Sequence, residues 1–194
     1  MIERINERYK VILASNSPRR RELLAGLGLQ FEVRVLADID ENYPPTLPAT
    51  QIAKYIAHKK AEANRAIMAE NEMIITADTI VVVDDMVMGK PADDADAIRM
   101  LSTLSGKTHK VITGVCITTL NKQTVFDVTT GVTFKTLTDE EINYYITHFH
   151  PTDKAGAYGI QEWIGYIGVT GLEGSYYNVM GLPVQRIYDE LCEF

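Results

Sequence analysis

The stretch Tyr9–Leu29, YKVILASNSPRRRELLAGLGL, reads as a strand, a turn and a helix in direct succession. Tyr9 to Ala14 is an apolar run of buried-strand length, Ser17 is placed as a helix N-cap, and Pro18 fits the first helical residue. Arg19, Arg20 and Arg21 then fall in the first helical turn. A helix N-terminus already carries about half a positive charge, so each cation there costs roughly 0.3–1 kcal/mol. Three of them are unfavourable in the empty chain and become favourable when an anion meets them, because free N–H groups, dipole and guanidinium forks then face it together.

Outward from this segment, strands and helices alternate without internal repeats. FEVRVL reads as a strand, ADIDENYPP as an acidic turn, and the chain from about Thr50 to Glu70 as a long helix. MIITADTIVVVDDMVMGKP reads as a strand, a tight Asp84-Asp85 turn and a short return strand. DADAIRMLSTLSG has helical spacing at Ile98, Leu101 and Leu104, with Gly106 as its stop. KVITGVCITTL and TVFDVTTGVTFKTL pair as a hairpin across Asn121-Lys122. TDEEINYYITHF is a helix opened by a capping box, Thr138 with Glu141. A Gly-rich segment and a short terminal helix close the chain. This order predicts an α/β fold with a mixed, partly antiparallel sheet.

With 194 residues and 46% hydrophobic content, the chain suffices for a single domain spanning 1–194. No apolar run approaches the roughly 20 residues of a spanning helix, and MIERINERYK lacks the apolar core of a signal peptide, so the expectation is a cytoplasmic protein without a membrane partner. A formal charge of −7 argues against nucleic acid as a partner. Cys116 and Cys192 have no metal-type spacing and read as ordinary thiols. SGKT at Ser105–Thr108 imitates a phosphate loop, but Leu101 stands where its first glycine belongs. His148 and His150 do not share a helical face, and Tyr144 and Tyr145 fit packing positions.

Three polar residues stand where apolar ones are expected. Asp78 interrupts the β-branched run IITADTIVVV, with Thr79 on the opposite face. An unpaired buried carboxylate costs several kcal/mol, so Asp78 must meet a metal, a cation, a polar cleft or backbone amides at a strand bend. On the long helix Ile52, Ile56, Ala63 and Ile67 mark the inward stripe, and Lys60 follows Ile56 on that side. Its ammonium either snorkels out or meets an anion. Lys90 is a lone cation set between Gly89 and Pro91.

ASNSPRRRELL, ADTIVVVDD, GKP, DKAGAYGIQ and EGSYYNVMGLP together resemble, in order and spacing, the Maf family of nucleoside triphosphate pyrophosphatases, over roughly Val11 to Leu191. DKAGAYGIQ is similar to the branch acting on dTTP and UTP. Asn16 in the first motif, and Glu162 and Trp163 after Gln161, depart from the pattern. The resemblance implies an elongated mixed sheet flanked by helices, with an active-site cleft between two lobes as in inosine triphosphate pyrophosphatases, a divalent cation (Mg²⁺ or Mn²⁺) and a homodimer. Ser15, Arg20, Lys60 and Lys90 are then expected to bind substrate phosphates, and Glu41 to hold the metal. Asp38 and Asp40 read as solvated turn residues. Arg19, Thr79 and Gln161 are expected to set base preference, and Asp78 to act as the base for water attacking the α-phosphorus. Two alternatives remain at this point: a non-catalytic nucleotide-binding regulator of cell division, and a pyrophosphatase for 7-methyl-GTP or inosine triphosphate.

Overall fold

The computed structural model describes all residues, Met1–Phe194. The helices are α1 (Ile2–Arg8), α2 (Pro18–Gly26), α3 (Ala49–Arg65), α4 (Asp94–Leu104), α5 (Asp139–Phe149), α6 (Trp163–Gly168), α7 (Tyr176–Met180) and α8 (Val184–Cys192). The strands are β1 (Lys10–Leu13), β2 (Phe31–Val33), β3 (Glu72–Val83), β4 (Met86–Met88), β5 (Thr108–Thr118), β6 (Gln123–Phe134) and β7 (Val169–Glu173). They form one mixed sheet in the order β2-β1-β3-β5-β6-β7, with β4 pairing β3. β1 runs parallel to both β2 and β3, whereas β3–β4 and β6–β7 are antiparallel. No helix is long and apolar enough to cross a membrane.

The chain divides into two compact units. The first comprises 1–78, 113–128 and 181–194, and the second 79–112 and 129–180. In the first, Val11, Ile12 and Leu13 of β1 and Met73, Ile74 and Ile75 of β3 are buried in parallel register, as expected of a parallel pair covered on both faces. Helix α3 is pinned to this layer. Thr76 Oγ1 donates to the Ala57 carbonyl at 2.7 Å, and Gly114 of β5 lies directly against the helix backbone. A Cβ at Gly114 would fall 2.3 Å from Ala53 C and Lys54 N, so only glycine permits this approach.

The second unit has its own core, in which Met100, Leu101 and Leu104 of α4 meet Ile142, Tyr145 and Ile146 of α5 and the inner faces of β5 and β6. Asp84 and Asp85, with φ of 48° and 61°, make the tight turn between β3 and β4. The Thr138–Glu141 capping box is present.

Some boundaries differ from the sequence expectation. Helix α3 ends at Arg65, and its buried face is Ile52, Ala53, Ile56, Ala57, Ala61 and Asn64, leaving Ile67 exposed. On α4 it is Ala97 and Met100 that point inward, while Ile98 is exposed. The second strand stops at Val33. Helix α1 was not expected. It is held by Ile5 in the core and by bonds from Arg4 and Arg8 to the main-chain oxygens of Cys192 and Phe194. Cys116 is a core thiol, which burial pushes up to about 11, and Cys192 is exposed.

The close approach at Gly114 yields a test. Gly114→Ala must push α3 off the sheet, and overpacking of this kind costs about 1–3 kcal/mol. Thermal unfolding followed by circular dichroism should show a clearly lowered Tm, and an unchanged Tm would mean that the helix yields without loss.

Candidate active site

Burial along β3 is nearly continuous and relents mid-strand at Asp78 and Thr79. Asp78 lies at the end of the first unit's part of the strand. Its Oδ1 accepts from Lys60 Nζ at 2.8 Å, and both side chains are only 14% exposed. The same ammonium lies 3.1 Å from Glu41 Oε1. One cation thus holds two carboxylates, and Lys60 meets an anion inside the chain rather than snorkelling out. Asp78 Oδ2 and Glu41 Oε2 make no hydrogen bond within the protein.

This arrangement depends on α3. Lys60 is one turn beyond Ile56, and the Thr76–Ala57 bond and the Gly114 contact fix the helix height over β3. The acidic turn is fastened to the same helix by the preceding lysine. Lys59 Nζ donates to Asp40 Oδ2 at 2.9 Å and to the Asn42 carbonyl at 3.0 Å. Asp40 is therefore a paired residue and not merely a solvated one, and its bond to Lys59 holds its carboxyl below the usual range. Asp38 sits in the left-handed region, with φ of 57°.

The β1–α2 connection supplies the other cation. Ser17 caps α2, its Oγ accepting from Arg20 N at 3.4 Å, with Pro18 next and no acidic residue in the first turn. The Arg20 guanidinium folds back over the turn. Its Nε donates to the Gly181 carbonyl at 2.8 Å, and its Nη1 to the Ala77 carbonyl at 2.8 Å and to Ser15 Oγ at 3.4 Å. Burial lowers the Arg20 pKa, while the charge of Asp78 opposes that shift. These acceptors fix the direction of the guanidinium beside the start of α2. Ser15 is buried, and its Oγ also accepts from Ser17 N at 3.3 Å. Arg19 is half-buried on the same helical turn, and Arg21 is exposed with Nη2 on Asn16 Oδ1.

The structure therefore brings Ser15, Arg20, Lys60, Glu41 and Asp78 into one network within the first unit. Sequence reading missed the Gly181 carbonyl as the second anchor of Arg20, since nothing local announces a contact so distant along the chain. The second unit carries the remaining expected residues. Thr79 is half-buried on β3. Lys90 is exposed on the loop after β4 and makes no ion pair. Gln161 lies in the turn before α6, where its Oε1 is buried without a hydrogen-bond partner. An orphaned acceptor of this kind costs about 1–3 kcal/mol.

No group of three or more His, Cys, Asp or Glu side chains converges as a metal cage. The Glu41 carboxylate nevertheless fits a hard cation that arrives on phosphate oxygens, since Mg²⁺ typically takes one or two carboxylates and leaves its other positions to phosphates and water. Chemically, the cluster combines a half-shielded carboxylate with one uncommitted oxygen, two cations and a helix N-terminus bare of acids. That combination suits a polyanion and a water activated beside it.

A family model described as Maf-like protein matches residues 10–194. A dTTP/UTP pyrophosphatase of Phocaeicola vulgatus is 62% identical over 191 residues, covering 98% of this chain and 98% of that protein. One of Parabacteroides distasonis is 58% identical over 194 residues, covering 100% of each. One of Bacteroides thetaiotaomicron is 54% identical over 185 residues, covering 95% of this chain and 96% of that protein.

The Arg20 fork can be tested without any substrate. Lysine keeps the charge but cannot reach two carbonyls and a hydroxyl at once, so Arg20→Lys should lower stability by about 1–3 kcal/mol in urea unfolding. A midpoint equal to that of the native chain would show that the carbonyl contacts do not hold the turn.

Proposed function

Because the chain belongs to the Maf family, we propose that it is a nucleoside triphosphate pyrophosphatase that hydrolyses dTTP and UTP to the monophosphate and pyrophosphate. What most supports this reading is Asp78, a carboxylate on an interior strand, held at one oxygen by Lys60 and uncommitted at the other, beside the arginine-bearing start of α2.

In this reading Asp78 Oδ2 takes the proton of the attacking water. The water oxygen bonds to the α-phosphorus as the bond to the bridging oxygen breaks, and pyrophosphate departs with the electron pair. A positioned base contributes about 10²–10⁴-fold. Arg20 and Lys60 supply fixed positive charge for the phosphates, with Ser15 and the backbone of the Ser17 turn as further donors, and Lys90 is assigned to the same task. Glu41 would hold the divalent cation, Mg²⁺ or Mn²⁺, which when bound supplies charge neutralisation on the phosphate oxygens. Lys60 keeps the Asp78 and Glu41 carboxylates together until then.

Base preference is assigned to Arg19, Thr79 and Gln161. A glutamine amide offers an acceptor and a donor that match the imide N–H and adjacent carbonyl shared by uracil and thymine, an arrangement that cytosine reverses. The orphaned Gln161 Oε1 supports this role, because a turn of the amide toward a base N–H relieves an unfavourable burial. The same reading takes residues 1–194 as one catalytic domain acting as a cytoplasmic homodimer.

Purified chain with Mg²⁺ and UTP or dTTP should release pyrophosphate and the monophosphate on ion-exchange chromatography, and Asp78→Asn should lower kcat at least about 10²-fold while circular dichroism stays native. Diphosphate and orthophosphate as products, or near-native turnover in the folded variant, would overturn the assignment.

A further inference from the structure

Gln161 lacks a bond that fixes its own Oε1, so whatever discriminates between pyrimidine edges has to hold the turn that carries it. The neighbouring residue does so. Glu162 Oε2 accepts from the Tyr145 hydroxyl, and its Oε1 lies 3.1 Å from Lys154 Nζ. The Tyr145 oxygen in turn accepts from the backbone N–H of Gly159 at 3.0 Å. Glu162 N donates to the Gly159 carbonyl at 3.0 Å, and Gly165 N to the Glu162 carbonyl at 2.9 Å. Gln161 is therefore enclosed in a turn whose two ends, Gly159 and Glu162, are tied to each other and to one phenol oxygen. A Cβ at Gly159 would come 2.9 Å from Glu162 Cδ, so the carboxylate lies flat against the backbone it secures.

The anchor is buried and charged. Tyr145 is fully shielded in the second unit's core, and the Lys154 and Glu162 side chains are 9% and 20% exposed. Lys154 Nζ also donates to Asp153 Oδ1 at 2.6 Å, so its charge is met twice. An enclosed ion pair is a weak device for stability, because desolvation offsets much of the attraction, but it is effective at fixing one geometry. Nothing in the reaction uses these three side chains directly.

We propose that Tyr145, Glu162 and Lys154 are positioning residues that fix the backbone of the Gln161 turn and thereby set the preference between pyrimidine bases. This inference rests on the reading in which Gln161 meets the base. With the turn fixed, only the side-chain torsions of Gln161 remain free, and the amide reaches the base from one direction. Loosening the network lets the backbone shift as well, and the amide then accommodates either edge.

The test compares kcat/KM for UTP and CTP, each with Mg²⁺, in the native chain, Gln161→Ala, Tyr145→Phe and Glu162→Gln, well below the measured Tm of each. Tyr145→Phe keeps the ring and removes the shared oxygen. Glu162→Gln keeps the shape and removes the charge facing Lys154, and it carries the test if the phenylalanine variant fails to fold. The native ratio of UTP to CTP should be at least about tenfold, and Gln161→Ala should narrow it. Tyr145→Phe and Glu162→Gln should each narrow it by about threefold or more, mainly through KM for UTP, with kcat for UTP less affected. If Gln161→Ala narrows the ratio while both folded network variants keep it, the network is structural only and the inference is wrong. If Gln161→Ala itself keeps the native ratio, the assignment of Gln161 to the base fails, and this inference fails with it.

Discussion

A carboxylate in the middle of a buried strand cannot stand alone, and the first unit is organised around meeting that demand at Asp78. The answering charge comes from Lys60, which has to be delivered at a fixed height above β3. Helix α3 therefore approaches the sheet closely enough to exclude any side chain at Gly114, and Thr76 locks the distance by bonding the Ala57 carbonyl. Once the ammonium is in place, it also captures Glu41, and Lys59 captures Asp40, so the acidic turn is ordered by the same helix. A single electrostatic requirement thus couples a strand, a helix and a loop.

Much of this was legible because it is local. The Ser17 cap, Pro18 at the helix start, the Asp84-Asp85 turn and the Thr138–Glu141 capping box are each decided within a few residues. Asp78 and Lys60 were legible for another reason, since each breaks an apolar pattern that would otherwise be continuous, and such a break needs a partner. Their mutual pairing was not legible. Sequence periodicity gives the face on which a side chain lies, not which opposing group shares that face.

The misses are non-local in origin. Helix α1 is short and weak in intrinsic preference, and it exists through bonds to the chain's last residues. Arg20 reads as a phosphate ligand from its position, yet its guanidinium is held by the carbonyls of Ala77 and Gly181, which no local pattern reveals. Of Tyr144 and Tyr145, both read as packing residues, Tyr145 lies in the core while Tyr144 is exposed, and the Tyr145 hydroxyl serves a polar network with Glu162 and Gly159 that no spacing announces. The order of the motifs identifies the family, while the contacts explain how their residues act together.

The central claim is that water, deprotonated at Asp78, attacks the α-phosphorus without a covalent intermediate. Hydrolysis of UTP in water labelled with heavy oxygen, followed by mass spectrometry of both products, tests it most directly. The account predicts one labelled oxygen in UMP and none in pyrophosphate, in a single turnover as in many. Label in pyrophosphate would place the attack on the β-phosphorus, and an unlabelled monophosphate in the first turnover would reveal an enzyme-bound intermediate, and either result would contradict the role given to Asp78.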